Sequence, residues 1–298
     1  MTHAHRRFGM HNNTDALVWL DTSAEQHALY LQAFELARLR IWDALREDAL
    51  GSGADRFCIF SDLDETLLDN SQYNSWLVRR GRNFNEKGSW NRYCRAGISR
   101  LTAGAREFMQ EVAAMRDRRG NPIEIFYVTS RLEEVREATC ANLLALGLPL
   151  PDGGADPVST HLFMQGTVTP SGGVKKYDHY AFVAGERRRQ PVLWLGDNLS
   201  DFSKDFSSSV PWATRLANAQ VERAAWGKKW IAFPNPVYGG FLLSLPKLDK
   251  PDGTQMTVGD DLRSGEQTEE QVREALTPEQ TPKLGVLDIW EDDPDAEP

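Results

Sequence analysis

The sequence predicts an α/β fold, a three-layer sandwich in which a central parallel sheet is covered by helices on both faces. Short apolar runs recur along the chain, as in strands that are buried on both sides. Helical patterns alternate with these runs, and this alternation is typical of a parallel sheet. Hydrophobic residues make up 41% of the 298 positions and charged residues 26%, which suits a globular domain with a sizeable core.

The first predicted element is a long helix. Residues 1–16 are polar and are expected to form a flexible N-terminal segment. The stretch SAEQHALYLQAFELARLRIWDAL then places apolar residues at helical spacing, so an amphipathic helix should begin at Ser23. The stretch GSGAD at 51–55 is predicted to end this helix.

Five strands and four further helices are predicted after this helix. The strands are expected at 57–61, 123–128, 161–164, 192–195 and 230–233. The helices are expected near 104–118, 132–146, 174–186 and 215–226. Ser130 and Glu133 have the spacing of a capping box at the start of the second of these helices, and Gly147 should end it.

Two segments depart from the alternation of strands and helices. Residues 71–103 are rich in Trp, Tyr, Asn and Arg, and they are predicted to form a small, mainly helical cap inserted into a domain that spans 17–247. From residue 248 the chain is polar and acidic, with 14 Asp and Glu against 3 Lys and Arg from Asp252 onward. This tail, 248–298, is expected to be mostly disordered, with a short helix at TEEQVREAL.

Charge and hydropathy argue against two classes of partner. Before Asp252, 31 Lys and Arg stand against 29 Asp and Glu, so a basic face for a nucleic-acid polymer is not expected. No apolar run approaches the roughly 20 residues of a membrane span, and no apolar stretch follows the basic N-terminus as it would in a signal peptide. A cytoplasmic protein is therefore expected, or a periplasmic or cell-surface one if the chain is a mature or truncated form. A homodimer is left open.

The stretch FCIFSDLDETLLDN, residues 57–70, places negative charge where a buried strand ends. Asp62, Asp64 and Glu65 occupy three of four consecutive positions. Like charges this close repel one another, and burying them without partners is costly. A positive partner is therefore expected at the end of this strand.

Polar side chains also lie near the ends of other predicted strands. Thr129 follows the second strand, and GDNLSD after the fourth strand carries Asp197 and Asp201. The stretch GGVKKYDHY, which precedes the fourth strand, offers Lys175 and Lys176. Because ligands bind outside the carboxyl ends of parallel strands, these groups are expected to converge on one site.

These residue types fit phosphoryl transfer through a covalent aspartyl-phosphate. One aspartate attacks phosphorus, and a second, two residues on, protonates the leaving oxygen and then activates water. A lysine and a threonine bind the remaining phosphate oxygens, and Mg²⁺, which prefers oxygen ligands, neutralises the crowded carboxylates. A lone D-x-D-x-T can also be a turn and a helix cap, but three motifs at successive strand ends favour the catalytic interpretation.

Five stretches together resemble the bacterial class C acid phosphatases, the outer-membrane lipoprotein 5′-nucleotidase family of the haloacid dehalogenase superfamily. They are SAEQHALYLQAF, DLDETLLDNSQYNSW, FYVTSR, LWLGDNLSDF and FPNPVYGGF, and the resemblance covers roughly residues 17–246. It implies a haloacid dehalogenase-like fold. It also implies a Mg²⁺-dependent acid phosphatase that hydrolyses phosphomonoesters, with nucleoside 5′-monophosphates or related nucleotides as the expected substrates.

The resemblance implies roles for four aspartates. Asp62 matches the nucleophile. Asp64 matches the general acid and base, and its backbone carbonyl would also bind the metal. Asp197 and Asp201 match the two aspartates on the magnesium side, so these four residues form the expected metal site.

The resemblance also implies roles for hydroxyl and aromatic side chains. Thr66 and Thr129 match hydroxyl positions near the nucleophile and the phosphate. Family members hold the substrate base between aromatic rings, and by position Trp90 in KGSWNRY and Tyr238 in NPVYGGF would do this. Trp90 taken alone could equally be a packed aromatic of the cap.

Three features depart from the family pattern. No lipoprotein signal with its lipidated cysteine is present, and the acidic tail is not part of the family core. The catalytic lysine is assigned to Lys176, whose spacing to Asp197 requires a one-residue shift, while Lys175 would require two.

Two other functions stay open. One is a protein phosphatase acting on phosphoserine or phosphothreonine, because D-L-D-E-T-L also opens such enzymes, although an aromatic cap argues against the open cleft that a protein substrate needs. The other is a non-catalytic binding protein on the same fold. The intact set of Asp62, Asp64, Asp197 and a lysine argues against that alternative.

Overall fold

The structure of the chain, a computed structural model, describes residues 14–49, 56–79, 87–153, 161–245, 247–249 and 255–257. In chain order, the helices and strands are α1 (Thr14–Thr22), α2 (Ala24–Ala49), β1 (Arg56–Ser61), β2 (Leu68–Asp69), α3 (Ser71–Arg79), α4 (Lys87–Ala96), β3 (Arg100–Leu101), α5 (Ala105–Ala114), β4 (Glu124–Leu132), α6 (Arg136–Ala145), β5 (Leu162–Gln165), α7 (Lys176–Gly185), β6 (Arg189–Gly196), α8 (Trp212–Val221), β7 (Trp230–Ala232), α9 (Gly240–Leu243), β8 (Lys247–Asp249) and β9 (Gln255–Thr257).

Five strands form one parallel sheet with the order β5-β4-β1-β6-β7. All five predicted strands are present, and the parallel sheet is confirmed. Strand β1 lies at the centre, between β4 and β6. The residues that follow β1 are therefore flanked by those that follow β4 and β6.

Both faces of the sheet are covered, because successive side chains of a strand point to opposite sides. In β1, Phe57 and Ile59 belong to a core cluster that includes apolar side chains of α2, α5 and α6. Cys58 and Phe60 belong to a second cluster that includes side chains of α7. This arrangement confirms the three-layer sandwich.

Helix α2 begins as predicted. The Ser23 hydroxyl accepts a hydrogen bond from the backbone N–H of Gln26 at 2.9 Å, which satisfies a free donor of the first helical turn. The helix spans 26 residues. Neither α2 nor any other described helix combines the length and apolar character needed to cross a membrane.

The N-terminal segment differs in part from its prediction. Helix α1 already begins at Thr14, inside the stretch 1–16 that was expected to be flexible. It is ordered because Leu17 and Leu20 bury one side of it. Residues 1–13 and the predicted helix break at 51–55 lie outside the described residues.

Helices α3 and α4 belong to the insert after β1. Strands β2 and β3 flank these helices along the chain and pair antiparallel, so the two ends of the insert lie side by side. Tyr73, Leu77 and Tyr93 form a small core there, with Trp76 and Trp90 packed against it. The aromatic residues that the sequence concentrates in this segment therefore hold its two helices together.

The predicted capping box of Ser130 and Glu133 is wrong. Strand β4 includes Ser130 and continues to Leu132, which still pairs with β5. The Glu133 carboxylate instead accepts a hydrogen bond from the Thr167 hydroxyl at 2.8 Å. Gly147 does follow the end of the helix, with a φ of 74° that favours glycine.

Two short strands lie at the start of the predicted tail. Strands β8 and β9 pair antiparallel. The expectation that the tail is mostly disordered stays a prediction. Residues 250–254 and 258–298, which contain the predicted helix at TEEQVREAL, lie outside the described residues.

Candidate active site

The polar residues predicted at the strand ends meet around one cavity of about 290 Å³. Seven of the nine residues predicted for the site line it: Asp62, Asp64, Trp90, Lys176, Asp197, Asp201 and Tyr238. The other two, Thr66 and Thr129, are buried. Thr66 contacts Asp197, and Thr129 precedes Ser130, another residue of the cavity wall.

Lys176 is the positive partner that the carboxylates need. Its Nζ lies 2.5 Å from Oδ1 of Asp62 and 2.8 Å from Oδ1 of Asp201. Burial disfavours the charge on Lys176, yet the carboxylates of Asp201 and Asp62 outweigh this effect and hold the pKa of the lysine well above its usual range. Lys175 is exposed, so the structure brings Lys176 rather than Lys175 into the site.

Three carboxylates are arranged so that they could hold a metal ion. Asp62, Asp197 and Asp201 each offer one oxygen, and these oxygens lie within 4.8 Å of one another. Burial raises the pKa of Asp62 to about 7, with Asp201 and Asp64 adding to the shift and Lys176 opposing it. Burial and the neighbouring carboxylates of Asp201 and Asp62 also raise the pKa of Asp197 well above its usual range. A divalent cation with oxygen ligands would relieve this crowding of negative charge.

The glycine and the second aspartate of the GDNLSD stretch are required by the turn that follows β6. Oδ2 of Asp201 accepts a hydrogen bond from the backbone N–H of Asn198 at 3.0 Å. A Cβ atom at position 196 would lie 2.6 Å from Oδ2 of Asp201. Only glycine, which has no Cβ, fits there. Asp197 is held from another loop, because Nδ2 of Asn235 donates to its Oδ2 at 2.8 Å.

The Asp64 side chain is separate from this group of carboxylates. Nη2 of Arg131 donates to Oδ1 of Asp64 at 2.7 Å, and Nε of Arg131 lies 3.1 Å from Oδ2. Nδ2 of Asn70 also donates to Oδ1 at 2.9 Å. The Asp64 carboxylate is therefore held by Arg131 and Asn70, and it is not one of the three carboxylates that could share a metal ion.

The two predicted threonines have different roles in the hydrogen-bond network. The Thr66 hydroxyl lies 3.5 Å from Oδ1 of Asp197 and donates toward it. The Thr129 hydroxyl accepts from the backbone N–H of Arg131 at 3.1 Å. The Thr129 hydroxyl therefore supports the backbone at Arg131 and does not itself line the cavity.

The two predicted aromatic residues both reach the cavity wall. Trp90, in α4, stacks on Tyr93 with 5.6 Å between ring centroids and meets Tyr73 edge-on at 5.0 Å. The guanidinium of Arg131 lies 5.6 Å from the centre of the Trp90 ring. Trp90 is therefore both a packed aromatic of the insert and a lining residue of the cavity. Tyr238 follows β7, and its hydroxyl donates to the Glu65 carboxylate.

Among the residues that contact the predicted site residues, Glu65, Arg131 and Asn235 were not assigned a role from the sequence. Glu65 stood out only as a member of the charged run, and Arg131 and Asn235 only as letters of the FYVTSR and FPNPVYGGF stretches. A charged residue in or next to a buried strand needs a partner of opposite charge, and this rule could have paired Arg131 with one of the aspartates.

Comparison with known proteins shows which family and which solved structures this chain resembles. The sequence model of the HAD superfamily, subfamily IIIB (acid phosphatase), matches residues 10–241. Two solved structures of the class C acid phosphatase from Bacillus anthracis are similar to this chain. The structure with tungstate bound has a TM-score of 0.67, and the other has a TM-score of 0.66. Each is 26% identical to this chain. Both matches extend over 87% of this chain and over 98% of the Bacillus anthracis chain. The predicted haloacid dehalogenase-like fold is confirmed.

The pair of Arg131 and Asp64 predicts a stability effect. The side chains are 0% and 15% exposed, and removing one partner of a buried ion pair strands the other charge. We expect Arg131→Met to lower the free energy of unfolding by about 3 kcal/mol, measured by urea denaturation.

Arg95 offers a matched control. Its ion pair with Glu134 spans 3.3 Å, but the two side chains are 51% and 53% exposed, so Arg95→Met should leave the free energy of unfolding nearly unchanged. Equal losses in the two variants would contradict the structural role assigned to Arg131.

Proposed function

Since the chain belongs to the acid phosphatases of the HAD superfamily, subfamily IIIB, we propose that it hydrolyses nucleoside 5′-monophosphates or related nucleotides with the help of Mg²⁺. Phosphomonoester hydrolysis follows from the family. The nucleotide, the metal and an aspartyl-phosphate intermediate are the proposal. One observation supports it above the others: Lys176 and the carboxylates share a single cavity with the rings of Trp90 and Tyr238.

Asp62 is proposed as the nucleophile, because it follows β1 directly and lines the cavity. One of its carboxylate oxygens attacks phosphorus, the bond from phosphorus to the ester oxygen breaks, and the electron pair leaves with that oxygen. Lys176 lies 2.5 Å from Asp62. Its ammonium can therefore orient the nucleophile and offset the charge that develops on the phosphoryl oxygens.

Asp64 is proposed as the general acid and base. It gives a proton to the leaving oxygen, and it later takes a proton from the water that attacks the phosphorylated Asp62 and restores its carboxylate. Oδ1 of Asp64 accepts from both Arg131 and Asn70. Among the described residues, Oδ2 accepts only from Arg131 Nε, so the proton to be transferred would be carried on Oδ2.

Mg²⁺ would be held by carboxylate oxygens of Asp62 and Asp197 and by the backbone carbonyl of Asp64, with Asp201 on the same side. Bound there, the ion would neutralise carboxylate charge and polarise a phosphate oxygen. The donor set fits, because among the described residues of the site five carboxylates stand against the two cations Lys176 and Arg131. All the proposed ligands are oxygens, which suits a hard cation.

The two alternative functions are not favoured. The family that matches is one of acid phosphatases, which speaks against a non-catalytic binding protein. A protein phosphatase needs a cleft that admits a polypeptide, whereas Trp90 of the insert stands in the wall of a cavity of about 290 Å³.

The nucleophile assignment predicts that Asp62→Asn abolishes turnover and leaves the fold intact. An amide has the same shape as the carboxylate but cannot form the phosphorylated intermediate. Turnover of p-nitrophenyl phosphate and the circular dichroism spectrum would be measured together. Wild-type turnover in a purified Asp62→Asn preparation would contradict the mechanism.

The lysine assignment predicts a large difference between neighbouring residues. Lys176→Ala should lower kcat by about 100-fold or more, as the loss of a group that stabilises transition-state charge does. Lys175 is exposed, so Lys175→Ala is the matched control and should retain nearly all activity. The reverse ranking in a steady-state assay would move the catalytic role to Lys175.

The substrate assignment predicts that the aromatic residues act on nucleotides selectively. Stacking of a base on an aromatic ring contributes about 1–3 kcal/mol, which is about 5- to 150-fold in an equilibrium constant. Trp90→Ala and Tyr238→Ala should each lower kcat/KM for AMP by about this factor. The measurement compares AMP with glycerol phosphate, which has no ring.

The comparison with glycerol phosphate is the control for a general effect on the site. Its kcat/KM should change much less in both variants. p-Nitrophenyl phosphate is unsuitable here, because its own ring can stack. Equal losses of kcat/KM on AMP and on glycerol phosphate would contradict the nucleotide assignment. The protein would then be a general acid phosphatase without a base-binding site.

A further inference from the structure

One buried carboxylate of the site has no part in the proposed chemistry. Glu65 is 1% exposed and lies between the proposed acid–base residue Asp64 and Thr66. Its backbone has a φ of 56°, a conformation that side-chain-bearing residues rarely adopt. Burying a carboxylate and holding its residue in a rare backbone conformation both cost free energy. The contacts that offset this cost indicate the role of Glu65.

The contacts of Glu65 join two loops of the cavity. Its carboxylate accepts a hydrogen bond from the Tyr238 hydroxyl and from the backbone N–H of Asn70 at 3.2 Å. Its backbone carbonyl accepts from the hydroxyl of Tyr30 at 2.5 Å, and the same hydroxyl lies 3.3 Å from the carbonyl of Pro234. The loop after β1 and the loop after β7 are thereby fastened to each other through one residue.

These contacts hold Tyr238 at both ends. Its backbone N–H donates to Oδ1 of Asn235 at 3.3 Å, and its hydroxyl donates to Glu65. Between these points the side chain lines the cavity. With the backbone held, the contact at the hydroxyl fixes the direction of the side chain and therefore the place of the ring in the cavity wall.

We propose that Glu65 is a positioning residue for substrate choice, which fixes the Tyr238 ring in the cavity wall and thereby sets the affinity for the leaving group. This inference rests on the proposed function, because it assumes that Tyr238 contacts a substrate base. Glu65 itself contacts neither the phosphate nor the base. Its removal should therefore weaken binding of a ring-bearing substrate and spare the chemical step.

Three variants test this inference. Glu65→Met keeps the length of the side chain and removes the acceptor, Tyr238→Phe removes only the donor, and Glu65→Gln can still bond to the Tyr238 hydroxyl. Glu65→Met and Tyr238→Phe should each raise KM for AMP by about tenfold, within the 5- to 150-fold range expected for a stacked base, and leave kcat nearly unchanged. Glu65→Gln should retain a KM close to that of the wild type.

Two further readouts separate positioning from a general structural role. KM for glycerol phosphate should change much less than KM for AMP in all three variants. The double variant with Glu65→Met and Tyr238→Phe should lose no more than the single variants, because both remove the same contact. A loss of kcat on both substrates, additive effects in the double variant, or a Glu65→Gln variant as impaired as Glu65→Met would overturn the inference.

Trp90→Ala distinguishes this inference from the function on which it rests, because Trp90 lies in α4 and not in either of the two loops that Glu65 joins. If Trp90→Ala weakens AMP selectively and Glu65→Met does not, the nucleotide proposal stands and the role of Glu65 is refuted. If neither variant discriminates between AMP and glycerol phosphate, both proposals fail.

Discussion

The site depends on the attraction between one buried ammonium and the buried carboxylates at the end of β1. The side chains of Asp62 and Asp201 are only 8% and 5% exposed, and Lys176 bonds to both. Such an attraction is strong away from water, and without it either aspartate would carry an uncompensated buried charge. Asp197 lies in the same group of carboxylates, so the lysine alone does not balance the site. The proposed Mg²⁺ would supply the missing positive charge.

The fold assembles these charges from distant parts of the chain. In the parallel sheet, β1, β4 and β6 end at the same edge, and α7 begins there with Lys176 as its first residue. Asn235 in the loop after β7 donates to Asp197 and accepts from the backbone of Tyr238. One side chain therefore supports both the proposed metal side and the proposed base-binding side of the cavity, and a displacement of this loop would disturb both.

The sequence predicted those parts of the protein that depend on local patterns. The apolar run at 57–61 and the carboxylates after it determined the first strand and the place of the site, because burial and charge follow directly from residue type. Ser130 shows the limit: its spacing to Glu133 imitates a capping box, but pairing with β5 extends β4 through it. The partnership of Arg131 with Asp64 joins residues 67 positions apart, and no local pattern specifies which charges meet across such a distance.

The most direct test of the account is a calorimetric titration of the metal-free protein with Mg²⁺ in the absence of substrate. The account predicts that one Mg²⁺ binds per chain and that binding raises the melting temperature, because the ion stabilises the folded site that crowds the carboxylates. Asp197→Asn should abolish both effects. A wild-type protein that binds no Mg²⁺, and yet hydrolyses phosphomonoesters at full rate after exhaustive chelation, would contradict the claim that a cation completes the charge balance at the end of β1.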